Sequence, residues 1–309
     1  MSTSQILQQV FNALQLGSFY ALIALGYSMV YSILMLFNFA HGDVFMVATY
    51  IGYGIATLLL SLAASMAFNL PGWVTFTLTL LLTMFVASFV GVLVELVAYR
   101  PLRDAPRASA AITGLMVGIF LETAVLTLVG ASNLNFPELI KPTTYRIGSV
   151  YITNIKVLTL ILSFGLMILL HLFIQKTKIG MAMRAMSYDY AVIPLMGVPL
   201  NTIISFTFAL GSALAGAAGV LYGMAYPVLN PYMGVLVGWK AFVAAILGGR
   251  GSILGAVLGG FLLGAIEILV AAVFTSTLRD LIAYSIVLLI LTFRPYGLFG
   301  EEHSARLRL

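Results

Sequence analysis

Asn38, His41 and Asp43 fall within the stretch Asn38-Phe39-Ala40-His41-Gly42-Asp43, with apolar sequence on both sides. Polar groups inside a membrane are costly unless they face protein or water. The stretch therefore reads in one of two ways. These residues, Gly42 among them, line the path of a solute, or Asn38 and Asp43 satisfy free backbone groups where one helix breaks and the next begins. A second set of candidate groups lies between Gly238 and Ser252, where Lys240 is followed by Gly248, Gly249, Arg250 and Gly251. These glycines suggest a phosphate cradle, but such a loop needs Gly-Lys followed by Ser or Thr. No lysine in the chain follows a glycine, so no ATP site is expected, and the glycines read as a tight turn with Arg250 at the membrane interface. Ser28 with His41 or His171 as base would be the parts of an intramembrane hydrolase, yet no Gly-x-Ser-x-Gly elbow occurs. Cysteine is absent and His41, His171 and His303 have no ligand spacing, so no metal or cofactor is expected in this chain.

The elements that carry these residues follow from composition. Of the 309 residues 61% are hydrophobic and 8% charged, a balance outside the range of soluble domains. No Asp, Glu, Lys or Arg occurs from Val44 to Val94 or from Tyr190 to Trp239. Since about 20 apolar residues cross about 30 Å of hydrocarbon, the chain is expected to be an all-α polytopic membrane protein. It reads as a single transmembrane domain over residues 1–309. Apolar runs fall near 10–36, 44–66, 73–98, 109–131, 155–175, 201–224, 236–249, 253–274 and 279–293, giving eight to ten full or partial crossings. The run at 236–249 is short and reads as half of a broken helix. Residues 1–40 carry no basic region ahead of the first run, so that run is expected to be retained as a span.

The net charge of +5 comes from short basic clusters between apolar runs, a pattern of topology rather than of a nucleic-acid partner. Arg100, Arg103 and Arg107 form one cluster, Lys176, Lys178 and Arg184 a second, and Arg294, Arg306 and Arg308 a third. Placing all three in the cytoplasm puts the C-terminus there and the N-terminus outside. Lys141 and Arg146 then lie on the outer face, against the charge rule. Small residues recur every fourth position at Gly211, Ala215, Gly219 and Gly223 and at Gly251, Gly255 and Gly259, and Gly260 pairs with Gly264. Such ridges let membrane helices approach closely, as internal packing or as a subunit interface or gate. A faint internal echo links Ser18–Gly26 with Ser205–Gly211.

Segment 176–199, KTKIGMAMRAMSYDYAVIPLMGVP, has helical spacing after Gly180 and is broken by Pro194 and Gly197. It reads as a short amphipathic helix on the cytoplasmic face, or as a plain connector.

Gly17–Gly26 (GSFYALIALG), Asn38–Asp43 (NFAHGD), Ala98–Arg103 (AYRPLR), Gly180–Gly197 and Lys240–Ser252 (KAFVAAILGGRGS) together resemble the LivH-type permease subunits of branched-chain amino-acid ABC importers. The resemblance covers nearly the whole chain. It implies a pore-forming subunit of the bacterial inner membrane for branched-chain amino acids, with related permeases serving other amino acids, amides or urea. It also implies a second related permease, two cytoplasmic ATPase subunits and a periplasmic binding protein as partners. The 176–199 segment would couple to the ATPases through Gly180, Met181, Arg184, Ala185, Asp189, Leu195, Met196 and Gly197. Asn38, His41, Gly42, Asp43 and Lys240 are the candidates for the translocation path. An ion-driven carrier is the reading from another class, and Asp43, Glu95, Glu122 and Glu267 are the carboxylates it would have to use.

Overall fold

The computed structural model describes residues 3–66, 71–188, 193–274 and 276–300. Among these residues seven helices are long and apolar enough to cross a membrane. They are α1 (Thr3–Leu34), α2 (His41–Ser65), α3 (Gly72–Val94), α4 (Arg107–Val129), α5 (Asn154–Lys176), α7 (Leu200–Ala225) and α9 (Ile253–Val273). Between them lie α6 (Lys178–Tyr188) and α8 (Met233–Gly248), and α10 (Arg279–Phe293) follows. With 16 residues in α8 and 15 in α10, each rises only about 23 Å, short of a full crossing.

Prolines set several starts. Pro71, Pro106 and Pro199 immediately precede α3, α4 and α7, where a missing N–H costs nothing. At its far end α3 loosens into a π turn (Glu95–Tyr99) and then a 3-10 turn (Arg100–Leu102). Pro101 cannot donate the bond that would continue the helix. The end of α8 is marked by Gly249 at φ +126° and Gly251 at φ +81°, backbone that favours glycine.

The core is built around α1 and α7. Every residue from Phe19 to Leu25 is buried, and the Ala215–Leu221 stretch of α7 is equally enclosed. α1 packs along α9 and α7 along α3, while α2 lies against both α7 and α8. The two segments of the sequence echo meet: a Cβ on Gly211 would stand 3.2 Å from Gly26 Cα. The starts of α2 and α8 are also built alike, since His41 N–H donates to Asn38 O and Met233 N–H to Asn230 O, each at 3.0 Å.

Two small β pieces lie outside the helical expectation. β1 (Leu134–Asn135) pairs antiparallel with β4 (Val228–Leu229), and β2 (Thr144–Ile147) forms a hairpin with β3 (Val150–Thr153) through Gly148 at φ +63°. The first pair holds the chain after α4 beside the chain after α7, on one face of the bundle. On the opposite face Arg103 bonds Asn201, tying the end of α3 to the start of α7. A cavity lined by Ser32, Arg184 and Gly251 brings the ends of α1 and α8 there too. The basic ends at Arg100–Arg107, Lys176–Arg184 and Arg294 therefore share a face, whereas Lys141 and Arg146 lie on the other. Arg306, Arg308 and His303 are outside the described residues.

Candidate functional site

Asn38, His41, Gly42 and Asp43 are all buried at the start of α2. The N-cap residue is Ala40, which supplies no side-chain cap. Instead two tyrosine hydroxyls accept from the free main-chain donors, Tyr99 from the Phe39 N–H and Tyr27 from the Gly42 N–H. The Tyr99 hydroxyl also donates to Asn38 Oδ1 at 3.1 Å, leaving Asn38 Nδ2 without a partner. Asn38 is therefore not a cap. It is held by the same tyrosine that closes the helix, and Gly114 of α4 makes room for that hydroxyl.

His41 is 1% exposed and packs edge-to-face on Tyr27 at 4.9 Å. Its ring bonds the Ile23 carbonyl, while Nε2 lies in the notch left by Gly26 and finds no partner. Asp43 sits between two glycines on different helices. Oδ2 occupies the space of a side chain on Gly118 of α4, and a Cβ on Gly234 of α8 would stand 2.5 Å from Oδ1. Oδ1 has no hydrogen-bond partner. Its neighbour is the first turn of α8, whose free N–H groups carry partial positive charge, a setting that tolerates a carboxylate. One turn beyond Gly118, Glu122 acts on the same carboxylate electrostatically. The Gly114, Gly118, Glu122 spacing of four was the signal in the sequence that α4 meets this site. Tyr27, Tyr99 and Gly234 carried no such signal. Beside the seam an aromatic collar faces outward, with Phe39 at 5.3 Å from Phe242 and 6.0 Å from Trp239, and Phe37 at 4.9 Å from Phe242.

Lys240 does not join this group. Gly238 lies against Gly42, but the Lys240 side chain turns away, to Glu267 Oε2 at 3.1 Å and Asp280 Oδ1 at 2.7 Å. Arg279 completes the cluster, 3.6 Å from Glu267 and 3.3 Å from Asp280, and the Tyr20 hydroxyl donates to Glu267 at 3.1 Å. Two cations and two carboxylates thus neutralise each other and bind α8, α9 and α10 together. Glu95 is likewise satisfied, by Arg100 at 2.9 Å, by Arg103, and by the Ser205 hydroxyl at 2.7 Å. Of the buried or half-buried carboxylates within the spans, only Asp43 and Glu122 lack a cation among the described residues.

The ridges contact other parts of the same chain, mostly helices. Gly211 meets Gly26, Gly219 meets Thr49 and Gly223 receives the ring of Phe136, with Ala215 fully buried between them. Gly255 and Gly259 face the Ala244–Gly248 end of α8, while Gly260 and Gly264 face Ala21 and Gly17 of α1. Gly251 stands apart, in the turn before the Ser252 N-cap rather than on the α9 ridge.

In the 176–199 segment, α6 packs through Gly180, Met183 and Met186. A Cβ on Gly180 would run into the Ile174 backbone, so this glycine permits the sharp corner between α5 and α6. Arg184 reinforces the corner, donating to the Ile174 carbonyl at 2.6 Å and to Gln175 Oε1 at 2.9 Å. Met181, Leu195 and Met196 point outward, Leu195 being 85% exposed; Ala185 is half-buried, and Gly197 is exposed in a turn at φ +75°. Asp189 lies outside the described residues.

Residues 9–291 match the family described as the permease component of the branched-chain amino acid transport system. The chain is 42% identical over 300 residues to the high-affinity branched-chain amino acid transport system permease protein BraD of Pseudomonas aeruginosa, covering 96% of each chain. It is 38% identical to the LivH permease protein of Escherichia coli K12 over the same share. A probable branched-chain permease LivH of Methanocaldococcus jannaschii is 26% identical over 93% of this chain and 90% of its own. No solved structure matches the chain significantly.

Proposed function

The chain belongs to the branched-chain amino acid transport permease family, and from that premise we propose that it forms the membrane path for branched-chain amino acids in an ATP-driven importer. The observation that carries this reading is 42% identity over 96% of the chain to a permease of that substrate class. It is a multi-pass membrane protein and a transporter subunit. Its partners in this reading are a second related permease, two ATP-binding subunits that perform the hydrolysis, and a soluble binding protein that delivers the solute. The face with the basic ends is cytoplasmic and includes the C-terminus, and the membrane is the bacterial inner one. The path follows the seam of α2, α4 and α8, where Asn38, His41 and Asp43 each hold one of the buried polar atoms without a partner. Met181, Leu195 and Met196 form the docking surface for the ATPases, since each is a large apolar side chain exposed in the same short segment. Other amino acids, amides and urea are the alternative cargoes.

Reconstitution separates this reading from an ion-driven carrier. Proteoliposomes holding the permease pair, the ATPases and the binding protein should accumulate leucine, isoleucine and valine only with ATP. Accumulation driven by a proton or sodium gradient without ATP would overturn the assignment and return Asp43 and Glu122 to the role of ion carriers. Purified by itself, the chain should show no ATP turnover.

A further inference from the structure

A cavity of about 650 Å³ opens between α1, α5, the end of α7 and the chain after α4. It lies on the face opposite the basic ends, and its size is within the roughly 300–1,000 Å³ of small-molecule sites. Its polar side chains include Gln15, Lys156 and Glu138. Gln15 of α1 is 8% exposed and lines the cavity. Lys156 of α5 is half-buried and donates to Asn12 Oδ1 at 2.6 Å, yet no carboxylate lies within salt-bridge reach of it among the described residues. Glu138 is exposed at the rim. Apart from Asn135 and Thr153 the remaining wall is apolar, including Phe136, Leu139 and Met224.

A half-buried ammonium group is normally met by a counter-charge, and here Lys156 has only the neutral Asn12 amide among the described residues. A carboxylate on Lys156 would supply one, with the Gln15 amide as a second donor. The ammonium of the same molecule would then find Glu138 at the mouth. Its side chain would lie on Phe136 and Leu139, where burial of aliphatic surface is favourable. We propose that this cavity is a receiving site for a free zwitterionic α-amino acid with an aliphatic side chain, before it enters the path along α2. The proposal rests on the transport reading given above, and assigns Lys156 and Gln15 as its carboxylate-binding groups.

The test is equilibrium binding of radiolabelled L-leucine to the assembled permease–ATPase complex in nanodiscs, without the binding protein. Saturable binding is expected. Isoleucine should compete, whereas 3-methylbutylamine, which lacks the carboxylate, should not. Lys156→Met and Gln15→Leu should each weaken binding, the former by about tenfold or more, the worth of one charge-assisted hydrogen bond. Absence of saturable binding, equal competition by the amine, or unchanged affinity in both variants would overturn the proposal. So would a phosphatidylethanolamine headgroup held at Lys156 that leucine fails to displace. The competition series needs no variant, so the test stands even if Lys156→Met does not assemble. Failure of the transport reading shows separately: the complete complex with its binding protein would then accumulate no aliphatic amino acid.

Discussion

At the scale of single residues, the chain treats its intramembrane charges in two ways. Lys240, Glu267, Arg279 and Asp280 are matched sign for sign, whereas Asp43 lies against Gly118 and Gly234 with no cation beside it among the described residues. The difference predicts different phenotypes. Lys240→Met leaves Glu267 with the Tyr20 hydroxyl and, as its one cation, the more distant Arg279, and removing one partner of a buried pair costs about 3 kcal/mol or more. Thermal unfolding followed by size-exclusion chromatography should show that loss, and Lys240→Met with Glu267→Met should recover most of it. Simple addition of the two single effects would mean that the pair is not coupled. Asp43→Asn keeps the shape of the side chain and should leave folding intact while lowering transport about tenfold. Normal uptake by that variant would confine Asp43 to bracing the start of α8. The NFAHGD stretch was legible as polar groups at a helix break, because its residue types contrast with their surroundings. Their partners were not, since Tyr27 and Tyr99 are unremarkable in an aromatic-rich membrane sequence, and only the fold brings their hydroxyls to the helix start.

At the scale of elements, the long helices were legible because hydrocarbon leaves the backbone no alternative and prolines mark where several begin. The β1–β4 pair and the β2–β3 hairpin were not, because they lie outside the apolar runs where that constraint does not act. Lys240 was misplaced for a related reason. Spacing puts it two residues from Gly238, which does meet α2, but a helix turns about 100° per residue, and only the packing of α9 shows which way Lys240 points. Glycine contacts predict how helix packing responds to substitution. A Cβ on Gly219 would stand 2.6 Å from Thr49 Oγ1, and one on Gly255 would stand 2.5 Å from the Gly248 carbonyl. Gly54 and Gly165 have nothing within 4 Å. Gly219→Leu and Gly255→Leu should therefore lose folded protein, because behind the Thr49 hydroxyl lies the Thr49 main-chain N at 3.1 Å, and backbone cannot yield as a side chain can. Gly54→Ala and Gly165→Ala should be neutral or stabilising by up to about 1 kcal/mol. Yield of monodisperse protein for the four variants checks the ranking, and equal tolerance of all four would show that the close approaches are not required.

At the scale of the whole molecule, the importer reading proposed above requires that work reach this chain from separate ATPases, through the face on which its basic ends gather. Two kinds of residue in the 176–199 segment meet that demand differently. Gly180 and Arg184 hold the corner to α5, the first through contact with the Ile174 backbone and the second through its hydrogen bonds to Ile174 and Gln175. Their substitution should disturb the fold of the segment itself. Met181, Leu195 and Met196 are 61%, 85% and 73% exposed, so their loss removes little from the isolated chain. What they would contribute is burial in a partner, about 25 cal/mol per Å² of apolar surface removed from water. Met181→Asp combined with Leu195→Asp should therefore leave insertion and thermal stability of the permease unchanged. The same change should release the ATPase subunits in co-purification and abolish ATP-driven uptake. Gly180→Leu should instead lower the yield of the permease before any ATPase is added. If the Met181/Leu195 variant still carried its ATPases and transported normally, these exposed side chains would belong to the membrane surface, and coupling would have to enter through another contact on the basic face.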